Sequence, residues 1–239
     1  MALITTKSIV LSALKYGDTS LIVKCFTEKD GVKSYLIRGV LKSKKGKLKP
    51  AYFQPLTQLL LTANHNNKGT LNSIKEVQVI HPYESIPVSI VKQTILLFLS
   101  EILTSIIREE EENEVLYNYV ETGLIWLDTH DSISNFHLLF LLNLSRFLGF
   151  YPDIDVNATH FNLLEGSNAG SPNHKLSISG EKLYHFKKLL GINFDAIHTI
   201  SFNKKERQMV LQIIIRYFEL HLEGFKEPKS LRVLETVFT

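Results

Sequence analysis

The first eighty residues are cut at short intervals by turn-forming residues, and that punctuation limits what they can fold into. Tyr16-Gly17-Asp18, Asp30-Gly31 and the run Asn64 to Gly69 separate short apolar-rich stretches. Glycine accepts positive φ, aspartate bonds its own backbone, and an Asp-Gly pair favours a tight hairpin. The spacing predicts strands at Thr6–Lys15, Leu21–Thr27, Val32–Val40, Pro55–Ala63 and Thr70–Ile80, joined by short turns except between the third and fourth.

Five antiparallel strands in about 80 residues fit a small closed barrel. The OB-fold is the leading arrangement and an SH3-like barrel the alternative. The one long connection, Arg38 to Pro50, carries six Lys or Arg residues and no acid. Fixed, clustered positive charge suits a polyanion. Single-strand binding by such barrels pairs a basic groove with aromatic platforms. The candidate phosphate contacts are Arg38, Lys42, Lys44, Lys45, Lys47 and Lys49. Of the aromatics Tyr16, Phe26, Tyr35, Tyr52 and Phe53, the tyrosines that flank this loop, Tyr35 and Tyr52, are the candidate platforms. Phe26 and Phe53 are expected in the core, and His65 is read as a polar turn residue.

Charge divides the chain the same way. Residues 1–80 hold 13 Lys and Arg against 4 Asp and Glu, a net of +9, whereas residues 81–239 hold 14 against 20, a net of −6. Two domains with different partners are expected, 1–80 and 81–239. The junction is the proline-marked segment His81 to Pro87.

Beyond it the period changes to that of helices. Val88, Val91, Ile95, Phe98, Leu99, Ile102 and Ile106 recur at three- and four-residue steps, on one buried face. A second helix is predicted over Val115–Asp128. A third is predicted over Ile133–Leu148, with Asp131-Ser132 as its N-cap, Gly149 as its C-cap and Pro152 beyond. Residues 153–180 turn polar and irregular, with strand-like pieces at Phe161–Leu164 and Leu176–Ile178. Residues 181–198 resume a helical pattern. Asn203 is placed to cap a helix over Lys204–Glu223, whose apolar stripe is expected at the centre of a bundle. Gly224 ends it, and Ser230 can cap a short last helix. The fold class is therefore α+β: a five-stranded barrel, then an all-α domain with a small irregular insertion.

Catalysis finds no support. The chain lacks a phosphate-binding Gly-x-x-x-x-Gly-Lys-Ser/Thr loop, Gly-x-Gly-x-x-Gly, Gly-x-Ser-x-Gly and His-Glu-x-x-His. Its single cysteine, Cys25, lies mid-strand in apolar company and reads as core. One cysteine allows no internal disulfide and no cysteine-based zinc site, which suits a reducing cytoplasm. His160, His174 and His185 are spaced too widely for a compact helix-borne metal site. The Glu109–Glu112 run reads as a solvated acidic face. No catalytic residue, cofactor or metal is expected, and no segment reads as a membrane span or a signal peptide.

Several short pieces, taken in order, resemble one family. They are Tyr16-Gly-Asp-Thr-Ser20, Phe26-Thr-Glu-Lys-Asp-Gly31, Arg38-Gly39-Val40, Gln54-Pro55, Ser145-Arg-Phe-Leu-Gly-Phe-Tyr-Pro152, Tyr217-Phe-Glu-Leu-His-Leu222 and Lys229-Ser230-Leu231. No one of them is specific, but their succession over nearly the whole chain resembles RecO, the bacterial DNA-repair and recombination mediator family. The resemblance implies an OB-fold followed by a helical domain. It implies a non-enzymatic protein that binds single- and double-stranded DNA, anneals complementary strands and works in the cytoplasm, associated with the nucleoid. It implies RecR, and in some bacteria RecF, as partners in loading RecA onto DNA coated with single-strand-binding protein (SSB). It also implies a contact to the SSB C-terminal tail. That contact needs an apolar hollow and a cation for the tail's carboxylate, and Arg146, Lys187 and Lys188 are the candidate cations. Many members carry a four-cysteine zinc module where this chain has residues 153–180, so here the segment is expected to hold by hydrogen bonds and packing. The alternative is an interaction scaffold whose basic barrel holds an acidic protein partner.

Overall fold

The structure is a computed structural model that describes residues 2–42, 47–66, 71–108, 111–168 and 175–238. Five antiparallel strands come first: β1 (Ala2–Tyr16), β2 (Ser20–Thr27), β3 (Gly31–Ile37), β4 (Gln58–His65) and β5 (Ser73–Val79). Their order is β3-β2-β1-β4-β5. A parallel bridge between Tyr35 and Asn72 joins the two edges. There Asn72 N donates to Ser34 O at 2.8 Å and Leu36 N to Asn72 O at 3.0 Å. The sheet thus closes on itself in the strand order of an OB-fold.

Alternation sets the core. Val10, Val23, Cys25, Tyr35, Ile37, Leu59, Leu61 and Ala63 fill the barrel interior, and Phe53 plugs it from a 3-10 turn at Pro50–Phe53. β1 is shared: its first half pairs with β4 and its second half with β2, and a bulge between Val10 and Ser12 bends it between the two. Among the strand limits that differ from expectation, β1 starts at Ala2 and not Thr6, and two others have a local cause. β3 ends at Ile37, because Gly39 takes φ +67° and Leu41 N turns back to Thr19 O at 2.9 Å. β4 starts at Gln58, after Leu56 at φ +58°. Leu56 is fully buried and is held in that sparsely allowed conformation by its N–H to Val10 O at 2.7 Å and by the Tyr83 hydroxyl on its carbonyl at 2.7 Å.

The chain forms two compact units, residues 1–129 and 130–239. The junction expected at 80/81 separates strands from helices. The first packing unit runs on through α1 (Ile90–Ile106) and α2 (Glu114–Thr129). The reason is that β1 and β2 present apolar residues outward as well as inward. Ile9 and Phe26 lie opposite each other on the outer face and are buried, with Phe26 5.5 Å from Tyr117 of α2. Thr104 donates to Leu11 O at 2.9 Å, and Lys7 pairs with Glu121 at 3.2 Å.

Asp128, at the end of α2, ties the linker down. Its carboxylate accepts from the N–H groups of Glu84, Ser85 and Ile86 at 2.9–3.0 Å. Its carbonyl accepts from the Ser85 hydroxyl and from the buried Lys92 ammonium. Burial pushes the carboxyl up, but those backbone donors and the Ser85 hydroxyl outweigh it and hold it below the ordinary value. Val88, expected on the buried face, is 83% exposed. α1 begins only at Ile90 behind the Ser89 cap, so Val88 lies in a preceding 3-10 turn and not on the helix face.

The second unit is built on α3 (Phe136–Phe147), buried at nine of twelve positions and therefore central on every side. α3 starts later than expected because Asn135, not Asp131 or Ser132, precedes it. The Asn135 side chain donates to Ile200 O at 2.7 Å and accepts from Arg207 at 3.2 Å. α5 (Lys204–His221) packs one stripe beneath α3; Asn203 caps it as the sequence predicts, and Glu206 completes a capping box. α4 (Gly180–Lys187) and α6 (Leu231–Val237) complete the helices.

The irregular segment contributes β6 (His160–Asn162) and β7 (Ser177–Ser179), paired antiparallel. Tyr217 donates to Phe150 O at 2.7 Å and His221 to Leu163 O at 2.8 Å, while Phe150 stacks on the His221 ring. Hydrogen bonds and ring packing hold this segment without cysteine.

Candidate nucleic-acid interface

Strand register decides which side chains of the barrel face outward. Leu14 lies opposite Ile22, and Ile22 opposite Leu36, so these three form one row across β1, β2 and β3. All three point away from the interior, which Ala13, Val23 and Tyr35 face. Tyr16, opposite Ser20, continues the row at the end of β1. Leu14 is 66% and Tyr16 56% exposed, whereas Ile22 and Leu36 are half-buried. Among the described residues, helices cover this outer face over the first half of β1, where Ile9 and Phe26 lie. The second half stays open.

Cations border the open face at both ends. Lys24 lies opposite Ser34 two positions along from Ile22; its ammonium is shifted down, first by burial and then by the Arg108 charge. At the other end Arg38 is exposed where Gly39 N reaches Ser20 Oγ at 3.4 Å. Leu41 N bonds Thr19 O, which ties the start of the basic loop to the turn behind Tyr16. Lys42 follows, exposed. A flat apolar row with one free tyrosine ring between lysine and arginine can stack unpaired bases and neutralise the phosphates that join them. It lies on strands 2 and 3 of the barrel, the face such folds use for oligonucleotides and oligosaccharides.

The expected site residues separate under this geometry. Arg38, Lys42, Lys47 and Lys49 are all exposed. Lys44 and Lys45 lie outside the described residues. Tyr52 is half-buried, packed against the barrel core from the 3-10 turn. Tyr35 is a correction: it is fully buried and cannot stack a base. It shares the inward face with Val23, and its hydroxyl is 2.7 Å from His65 Nε2, while His65 Nδ1 is 2.7 Å from Asp30. Burial, then the Cys25 and Asp30 charges, push the Tyr35 hydroxyl well above the ordinary phenol range. His65 is a second correction, since it ends β4 with its side chain buried and is not an exposed turn residue. Cys25 is buried, and burial pushes its thiol up to about 12, so at neutral pH it is packing and not a nucleophile. The residues passed over, Lys24 and Tyr16 as a platform, have a signal only in strand parity, and for Tyr16 that requires knowing the β1 bulge.

In the helical unit, Lys187 is engaged: its ammonium donates to Val156 O and Ala158 O, both at 2.8 Å. Lys188 lies over the exposed Tyr184 ring at 4.4 Å and 5.9 Å from Phe202. Arg146 lies 4.0 Å over Tyr151, whose hydroxyl accepts from Gly191 N at 2.9 Å. Arg146 and Lys188 therefore border the same end of α4. His185 is buried with Glu206 at 3.6 Å and Glu181 at 3.8 Å. His174 lies outside the described residues, and among those described no three His, Cys, Asp or Glu side chains converge on a point.

The closed strand order and the helices appended to it define an OB-fold protein of mixed α+β class, with an added helical unit. Models for one family match both parts: Recombination protein O N terminal over residues 1–83 and Recombination protein O C terminal over residues 88–232. The chain belongs to the RecO family of DNA repair proteins. It is 50% identical over 239 residues to DNA repair protein RecO of Flavobacterium psychrophilum, covering 99% of each chain. It is 46% identical to that of Christiangramia forsetii over 99% of each, and 40% identical to that of Bacteroides fragilis over 98% of each. No helix among the described residues is long and apolar enough to cross a membrane.

Proposed function

We propose that this protein is a non-enzymatic mediator of DNA repair and homologous recombination. It binds single- and double-stranded DNA without reading sequence, anneals complementary strands and, with RecR, helps load RecA onto SSB-coated DNA in the cytoplasm. The observation that carries this reading is the open outer face of β1, β2 and β3, where Tyr16 and the row Leu14, Ile22 and Leu36 lie between Lys24 and Arg38. Lysine and arginine side chains grip phosphate and leave base identity unread. Neither catalytic groups nor a cofactor enter this role. The SSB tail is assigned to the end of α4, where Lys188 and Arg146 offer charge beside the exposed Tyr184 ring.

The test is a fluorescence-anisotropy titration of the full chain with a labelled oligothymidine at several salt concentrations. Each phosphate contact contributes about 0.7 to the slope of log K against log salt for a single strand. Arg38→Ala/Lys42→Ala is expected to weaken binding and reduce the slope by about 1.4. Unchanged affinity and slope would remove this face from the assignment. Displacement of the oligonucleotide by an acidic peptide at equal charge would favour the scaffold reading.

A further inference from the structure

The barrel carries a second surface feature away from the Tyr16 face. A groove of about 320 Å³ lies along β4 and β5, closed on one side by the end of the basic loop. Its volume falls at the small end of ligand pockets, which start near 300 Å³. Leu48 and Leu60 line it with apolar surface, Gln78 adds an amide, and Val77, opposite the interior residue Leu61, turns its side chain towards the barrel core. Lys47 and Lys75 supply two exposed ammonium groups, and neither makes a hydrogen bond or ion pair among the described residues. Among the described residues Glu76 is the one acid on the lining.

The two features occupy different halves of β1. Tyr16 and Leu14 belong to its second half, paired with β2, while β4 pairs with residues 2–9 of its first half. One loop serves both. Its start is pinned to the Tyr16 face through Leu41 and Thr19, and its end, Lys47 and Leu48, forms a wall of the groove. The cluster that is continuous in sequence is therefore divided between two places on the barrel.

We infer that this groove is a second site for an unpaired nucleotide within a DNA strand. The base rests on Leu48 and Leu60, and the backbone passes between Lys47 and Lys75. The inference rests on the DNA-binding reading given above. Two lysines on flexible stems suit a passing phosphodiester, and among the described residues no helix N-terminus or glycine-rich turn lines the groove to cradle a terminal phosphate. Glu76 disfavours a second phosphate on its own side and accepts from an exocyclic amino group. One barrel would then hold two separate unpaired segments, the arrangement that pairing two strands requires.

The experiment uses the full chain with oligothymidines carrying photoreactive 4-thiothymidine, followed by peptide mapping. It is paired with salt titrations of Lys47→Ala/Lys75→Ala and of Arg38→Ala/Lys42→Ala. Crosslinks are expected in two groups, one near Tyr16 and one within β4–β5. Lys47→Ala/Lys75→Ala is expected to abolish only the second group and to lower the salt slope by about 1.4. A wild-type protein that binds DNA with salt dependence but shows no β4–β5 crosslink, or a variant with an unchanged slope, overturns the groove and leaves the proposed function standing. Absence of salt-dependent binding by the wild type overturns both. Protection of β4–β5 by thymidine monophosphate at the concentration of phosphates at which the oligomer protects it makes this a mononucleotide site and overturns the strand assignment.

Discussion

The Tyr35 hydroxyl lies 2.7 Å from His65 Nε2 inside the barrel, and the opposite nitrogen of the same ring lies 2.7 Å from Asp30. An ionised carboxylate only accepts, so Nδ1 carries the proton, and in the neutral imidazole Nε2 accepts from the tyrosine. The three residues come from β3, the end of β4 and the β2–β3 turn, so the chain of bonds fastens the place where the sheet closes. Tyr35→Phe removes the donor and leaves a buried ring nitrogen without its partner. The expected loss is about 1–2 kcal/mol, read by urea unfolding through the single tryptophan, Trp126, in the same unit. Oligonucleotide affinity is expected to stay the same. A large loss of affinity with unchanged stability would restore Tyr35 as a platform.

Tyr16 is expected to behave in the opposite way. Its ring is more than half exposed and supports little packing. Tyr16→Ala should weaken single-strand binding by about 1–3 kcal/mol, the range for one base–aromatic stack, while the unfolding midpoint barely moves. Tyr16→Phe should retain most of the affinity, because stacking needs the ring and not the hydroxyl.

Asp128 makes the first unit acid-sensitive. Its folded-state carboxyl is held below the ordinary 3.8, so the stability it contributes is complete above that value and is lost as pH falls through the lower folded value. Asp128→Ala should cost about 3 kcal/mol at neutral pH, since three backbone N–H groups, that of Ile86 buried, lose their acceptor. The variant should also show a flatter fall in stability below pH ~4. An equally steep acid limb in the variant would assign that limb to other carboxylates.

His137 acts in the second unit over a different range. Burial, then the Arg207 charge, push its imidazole from 6.5 down to about 3. The unfolded chain therefore takes up a proton between these values and the folded chain does not, so stability falls as pH drops from 6.5 towards 3. One such group accounts for a slope of at most about 1.4 kcal/mol per pH unit. His137→Leu should flatten that slope, measured by hydrogen exchange in α3 and α5. A variant whose protection falls as steeply as the wild type's between pH 6 and pH 4 would refute the assignment, those bounds being roughly the interior of the titration window.

Local chemistry made much of the architecture legible. Tyr16-Gly17-Asp18 and Asp30-Gly31 placed the first two turns, the change of period after Pro87 placed the helices, and Asn203 capped α5 where expected. These signals act over a few residues, so they survive without knowledge of the fold. The faces of β3 did not read from local pattern. Lys33, Tyr35 and Ile37 alternate with Val32, Ser34 and Leu36, and neither set is plainly the apolar one.

The sequence by itself determined that a basic barrel precedes an acidic helical part, and that positive charge concentrates in Arg38–Pro50. Strand length, turn type and charge are properties of neighbouring residues. Only the tertiary structure decided that Tyr35 goes inside and Tyr16 outside, and that α1 and α2 pack with the barrel. It also decided that one basic loop borders two surfaces. Each of these depends on contacts between residues far apart in the chain: the bulge that bends β1, the bridge from Tyr35 to Asn72, and the burial of Phe26 against Tyr117.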